Sequence, residues 1–327
     1  VNNRTKTVVL LVVALLAVGA LLLIPRTKRD VPSQVVSPPA IEQKEIESNI
    51  SNGRKVTDGV LPSVHLPLRQ TISQLKQMAA NGNATAACRI AAEYQFCASA
   101  QSRMDRIDDI AMTQKGPDGN PLTVIRQVDP NLPSDSTHCD GVETTSSEQI
   151  ATAWRRAAEM GNINAMTNYA VGHAFQNQNM LKDLDELKLY KNNAEKFASR
   201  SAELGDGGAL LALAAAYAPQ THQLLPSMLT QAVNIDLQRS LTLYFLAQRR
   251  LPNGEQHLKL RTYIEEKIEL LRKYANSEVI NRASNEASAL DSEWNRTVFP
   301  SESEIAALDR GRVRPLKLDA CPDDNFR

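Results

Sequence analysis

Ser73-Gln74-Leu75-Lys76 places a hydroxyl one helical turn from an amine, the S-x-x-K spacing in which a lysine can help a serine attack an acyl carbon. That chemistry needs companions, and the chain has no S-D-N or K-T-G segment. The pair therefore reads as helix surface. Gly205-Asp206-Gly207-Gly208 has the glycine density of a phosphate-cradling loop but lacks the Lys-Ser/Thr that would follow it. His138 beside Cys139, together with Cys88 and Cys97, offers metal donors, yet no C-x₂-C pair sets a zinc spacing. His65, His173, His222 and His257 are scattered, and Arg239, Arg249, Arg250 and Arg261 are diluted by Glu255, Glu265 and Glu266 into a solvated face. No catalytic residue, metal site or cofactor is assigned, and enzyme activity is not expected.

The cysteines carry the clearest remaining chemistry. Cys88, Cys97, Cys139 and Cys321 are even in number, and Cys139 (HCDG) and Cys321 (ACPDD) sit in polar, turn-like surroundings where a free thiol would be exposed. Structural disulfides in an oxidising compartment fit these two better than buried thiols do. Four cysteines allow three connectivities. Cys88 and Cys97 would stand about 13 Å apart along one helix, too far to bond unless that helix ends between them. Cys97 with Cys139 would staple an inserted loop to the first helical unit and leave Cys88 for Cys321 in the tail.

At 327 residues the chain is long enough to bury a substantial core, and 37 basic against 37 acidic residues give no global attraction to nucleic acid. Aromatics are 5% of the chain while alanine is abundant, which favours closely packed helices over an all-β fold. Val8–Ile24 is an uncharged run of 17 residues, about 26 Å as a helix, enough to cross the hydrocarbon of a bilayer. It ends in Leu-Leu-Leu-Ile-Pro rather than in the small residues of a cleavage site, so an uncleaved anchor is expected. Two cations precede the span (Arg4, Lys6) and three follow it (Arg26, Lys28, Arg29), so charge bias alone does not orient it outward. The cysteines and the short leader, residues 1–7, place the body outside the cytoplasm. Val1 has the look of a translated alternative start codon, which points to a bacterial gene and hence to the inner membrane and periplasm. Residues 25–68 carry Pro32, Pro38 and Pro39 and no sustained apolar period, the character of a tether.

Between residues 69 and 251 one interruption recurs. MAANGNATAACRIAAEY (78–94), AAEMGNINAMTNYAVGH (157–173) and SAELGDGGALLALAAAY (201–217) align on Gly82, Gly161 and Gly205. Each has alanine three before the glycine (Ala79, Ala158, Ala202), four after it (Ala86, Ala165, Ala209) and nine after it (Ala91, Ala170, Ala214). Twelve after come Tyr94, His173 and Tyr217. A glycine in the left-handed conformation ends one helix, Asn83, Asn162 or Asp206 caps the next, and the alanines let the two antiparallel helices approach. Each copy is a helical hairpin.

These residues resemble the Sel-one-like repeat family, a relative of the tetratricopeptide repeat, whose motif runs approximately A-A-x-x-G-x-x-x-A-x-x-x-L-G-x-x-Y. Ala157–His173 and Ala202–Tyr217 carry it best, and Ala79–Tyr94 is a degenerate copy. The family's second glycine is replaced by Ala91, Ala170 and Ala214, and the copies lie 79 and 44 residues apart, so insertions are expected. The resemblance implies an all-α, irregular α-solenoid and a protein-binding role. The largest insertion, about 98–146, contains Pro117-Asp118-Gly119 between β-prone runs and reads as a loop or small β-hairpin. Asp236–Leu251 looks like another first helix. Residues 252–296 then carry a continuous 3–4 apolar stripe, Leu260, Ile264, Ile268, Leu271, Ile280, Ala283, Ala287, Leu290 and Trp294, expected as one long capping helix. Residues 297–327 form a tail.

The reading is a membrane-anchored periplasmic scaffold whose partner is another envelope protein. The competing reading is a binder or hydrolase of cell-wall fragments or small ligands, using a cleft between the insertion and the second repeat.

Overall fold

The computed structural model describes residues 60–113, 129–175, 180–219, 227–308 and 316–322. The expected anchor, leader and most of the tether lie outside the described residues, as does the Pro117-Asp118-Gly119 turn. Among the described residues every regular element is a helix, and the one strand-like contact is an isolated bridge between Asp206 and Val298. No described helix is long and apolar enough to cross a membrane.

Helices α1 (Leu68–Ala80) and α2 (Ala84–Thr113) form the first hairpin, α4 (Ser147–Glu159) and α5 (Ile163–Ala170) the second, and α6 (Leu184–Glu203) and α7 (Gly207–Tyr217) the third. A short α3 (Leu132–Cys139) lies between the first two. Then come α8 (Met228–Ala232), α9 (Leu237–Arg250), α10 (Leu258–Arg272), α11 (Ser277–Glu293) and a final turn of helix, α12 (Ile305–Leu308). Packing follows chain order: α1 on α2, α2 on α4, α4 on α5, α5 on α6, α6 on α7, α7 on α9, and α9 on both α10 and α11.

The hairpin turns share one geometry. Gly82, Gly161 and Gly205 have φ of +92°, +96° and +111°. In each, the glycine N–H donates to the carbonyl of the alanine three before it (Ala79, Ala158, Ala202), and the next residue donates to the carbonyl five before itself (Met78, Ala157, Ser201). That is a Schellman motif, which satisfies carbonyls the helix end would otherwise leave bare. The side chains of Asn83, Asn162 and Asp206 then accept from the backbone of Ala86 (2.8 Å), Ala165 (2.8 Å) and Gly208 (2.8 Å), starting the second helix. Gly172, φ +85°, ends α5 with the same pair of bonds. The alanines after each turn are buried where facing helices meet: Ala86, Ala165, Ala91, Ala170 and Ala214 at 0% exposure and Ala209 at 1%. Ala158 and Ala202 are buried too, whereas Ala79, in the copy furthest from the motif, is only partly covered.

Two expectations are refined. The inserted segment begins as helix, because α2 continues past Ala98 to Thr113. The C-terminal stripe is carried by two helices, since the chain leaves α10 at Lys273 and restarts at α11, where Asn276 accepts from the backbone N–H of Val279 at 2.9 Å. An asparagine competes with the helix for backbone donors and favours a cap, so spacing alone overestimates continuity here. Arg250 fastens this end: its guanidinium donates to Asp291 Oδ1 (2.8 Å) and to the carbonyls of Asp291 (2.7 Å), Trp294 (3.0 Å) and Asn295 (2.6 Å) at the end of α11.

The three turn glycines differ in their surroundings. A Cβ added at Gly82 or Gly161 meets nothing within 4 Å, whereas at Gly205 it would overlap the carbonyl oxygen of Arg296. Gly82→Ala is expected to cost about 1 kcal/mol from the left-handed backbone alone, and Gly205→Ala clearly more. Equal losses in urea unfolding would reject the covered third turn.

Candidate functional site

The structure leaves most sequence candidates with structural work. All four cysteines are oxidised, as Cys88–Cys321 and Cys97–Cys139. Cys88 and Cys97 both lie on α2, so the helix persists between them and a bond between these two is geometrically excluded. His138 does not face a metal: its Nε2 stands 2.7 Å from Glu93 Oε2, while Arg89 Nε donates to Glu93 Oε1 at 2.8 Å. Glu93 is fully buried, and these hydrogen-bonding partners replace the water it lost. Arg103 donates to Asp129 (2.7 Å) and Asp135 (2.6 Å). With the Cys97–Cys139 bond, these contacts pin α3 to α2, to which it otherwise offers little beyond Leu132.

The Gly205–Gly208 loop is a covered turn rather than an anion site. Val298 N–H donates to Gly205 O (2.8 Å) and Gly207 N–H to Val298 O (2.9 Å). Burial pushes the Asp206 carboxyl up, against the opposing effect of donors from Thr167, Ala209, Gly208 and Ser201. The second turn is covered by the tail: Asn162 Nδ2 donates to Cys321 O (2.9 Å) and Asn164 Nδ2 to Pro322 O (3.2 Å). Ser73 is exposed on α1. Among the described residues, no three His, Cys, Asp or Glu side chains are grouped to hold a metal ion.

The concave feature is elsewhere. A groove of about 1080 Å³ runs between α1 and α4, with α2 as its floor and residues 141–145 along one end. The α1 wall presents Arg69, Ile72, Lys76, Ala79 and Ala80, a stripe at helical spacing. The α4 wall presents Glu148, Gln149, Thr152, Ala153, Arg156 and Met160, and the floor is Ala87, Ile90 and Tyr94. The alanines keep the trough wide, and Ile72, Ile90, Tyr94 and Val142 are half-buried there.

Adjacent arginines on α4 show how wall and core divide. Arg155 is committed to the neighbouring helix: Nε donates to Glu186 Oε2 (3.0 Å), an Nη to Glu186 Oε1 (2.9 Å), and the other Nη to Glu159 (2.8 Å). Thr152 donates to the same Glu186 oxygen at 2.7 Å. Arg156, one residue on, turns to the groove. Burial raises the Glu186 carboxyl, but the hydrogen bonds from Arg155 and Thr152 outweigh it and hold the group below the ordinary glutamate range.

Sequence reasoning took Lys76 for plain helix surface and did not single out Ile72, Arg156 or Met160. The signal was present as two stripes of like spacing, 69-72-76 on α1 and 149-153-156-160 on α4, but either alone is indistinguishable from an ordinary solvated face.

Double replacements Cys97→Ser/Cys139→Ser and Cys88→Ser/Cys321→Ser are each expected to cost about 2–4 kcal/mol, the second closing a sequence separation of 233 residues against 42 for the first. Denaturant curves unchanged by either pair would reject a structural role. Glu186 has a depressed folded pKa, so the stability it contributes is full above the unfolded glutamate value and lost as pH falls through the folded one. The stability gap between the protein and Glu186→Gln is therefore expected to hold from pH 7 to about 5 and to narrow only as pH falls below the ordinary glutamate range; a gap that widens on acidification, or that has already closed above about pH 5, contradicts the assignment. Comparison with family models, with curated proteins and with solved structures finds no match.

Proposed function

We propose that this chain is a membrane-anchored binding scaffold of the bacterial envelope. In this reading Val8–Ile24 is the anchor, the body stands in the periplasm as an irregular α-solenoid of Sel-one-like hairpins, and the groove between the first two hairpins captures a segment of another envelope protein. The observation that carries it is the groove itself: a wide trough walled by two helices, with exposed side chains of both polarities over an apolar floor. Such surfaces suit a peptide or helix laid between helices. Packing in chain order supports the solenoid, because each unit of a repeat array buries its apolar face on its neighbours. Two disulfides and no free cysteine support an oxidising compartment.

In-cell photo-crosslinking tests it, with a probe at Ile72 or Met160 in the groove and at Leu184 on the exposed start of α6 as the control. One defined envelope protein captured from the groove positions and not from Leu184 is expected. Groove probes that yield no protein adduct on a folded chain would overturn the scaffold and return the choice to a small ligand. A body that resists protease in spheroplasts would overturn the periplasmic placement.

A further inference from the structure

Three cations line the groove outside any direct ion pair, although Arg156 also helps to hold the Glu186 carboxyl down through its charge. Arg69 and Lys76 stand two turns apart on α1 and Arg156 stands on α4, all exposed, and none takes part in a hydrogen bond or salt bridge. Elsewhere most arginines of the described residues are engaged, among them Arg89 with Glu93, Arg103 with Asp129 and Asp135, Arg155 with Glu186 and Arg250 with Asp291, with Arg106 and Arg296 as exceptions. A surface that pairs most of its guanidinium groups and leaves these side chains outside ion pairs in this groove keeps much of their charge available.

The charge is also polarised along the trough. Lys76 lies six residues before Gly82 and Arg156 five before Gly161, so both stand about one turn from the carbonyl end of their helices, where cations are favoured. Glu143 and Glu148 lie at the opposite end, beside the start of α4, where the helix favours carboxylates. Arg69 belongs to that end, because a Cβ built on Gly141 would stand 3.5 Å from Arg69 Cδ. The cations at the carbonyl end are therefore Lys76 and Arg156, neither in a direct ion pair, with Arg156 also feeling Glu186 across α4. Between the two ends run Ile72, Ile90 and Tyr94, with Met160 beyond Arg156.

We infer that the groove takes an acidic, amphipathic peptide segment of its partner, two carboxylates meeting Lys76 and Arg156 and apolar side chains covering Ile72, Ile90 and Tyr94. The inference rests on the groove being the protein-binding surface. Charge complementarity of this kind sets partner choice and orientation more than raw affinity. Small residues at Ala79, Ala87 and Ala153 leave room for a backbone to settle between the walls.

The test uses the full chain in detergent and two fluorescein-labelled helical peptides of about 14 residues, one carrying leucine and glutamate on adjoining faces, the other with lysine in place of glutamate. Fluorescence anisotropy is expected to show the acidic peptide binding, weakened by added salt and weakened roughly tenfold or more in Lys76→Glu/Arg156→Glu. Lys191→Glu, an exposed cation on α6, is expected to change affinity less than twofold. All substituted positions are exposed, and circular dichroism melts confirm that each variant folds. Equal binding of both peptides, or an acidic peptide indifferent to the double reversal, overturns the inference. If probes at Ile72 or Met160 capture an envelope protein while the acidic peptide fails to bind, the charge assignment falls and the scaffold stands. If neither occurs, both fall.

Discussion

Everything in this fold depends on reversing a helix within two residues. A left-handed glycine is the least costly way to do so, and the price is that the two helices leave the turn nearly in contact. Alanine at the positions after the turn is the packing answer, which is why Ala86, Ala165 and Ala209 are buried although each offers only a methyl group. Large rings pack further along, as in the cluster of Tyr169, Phe175, Tyr190 and Phe197 with centroids 5.2–5.8 Å apart.

The same constraint organises the C-terminal third of the chain. Each turn exposes a short edge of backbone, and the later two are covered by segments far away in sequence: the third by residues 295–299, the second by residues 321–322. The Cys88–Cys321 bond fixes that second cover to the first hairpin. The tail supplies two carbonyls that accept from side-chain amides and packs Leu316 and Leu318 on the core, and the covalent tie adds to these contacts in keeping so short a segment in place. At the first turn, Gly82, no such hydrogen bond from a distant segment is found among the described residues, and the groove lies on this first hairpin.

Helix content and hairpin boundaries were legible because they are written locally. A glycine followed by Asn or Asp, with alanines at fixed offsets, specifies a turn without reference to the rest of the chain; a helix running through Cys97 removed only the Cys88–Cys97 pairing, and the choice between the remaining two rested on stapling the inserted loop to the first hairpin. The break at Asn276 was less visible, because an apolar stripe records which face is buried and not whether the backbone is continuous. The groove was not legible at all. Its walls come from α1 and α4, separated in sequence by α2 and α3, and no local pattern states that Lys76 and Arg156 look into one trough.

Arg155 and Arg156 show why composition could not have found it. They are the same residue type, adjacent, on one helix. About 100° of helical rotation sends the first toward Glu186 and the second toward the groove. The first is consumed in joining α4 to α6, where its partners fix its geometry; the second keeps its charge in solvent. A formal net charge of zero averages over both kinds and conceals the difference. Where the described residues group no metal-binding side chains, an informative quantity is which charges the fold leaves outside ion pairs and whether they face one concavity. Here Lys76 and Arg156 stand outside direct ion pairs and face one groove, which is what the proposed acidic-segment reading rests on.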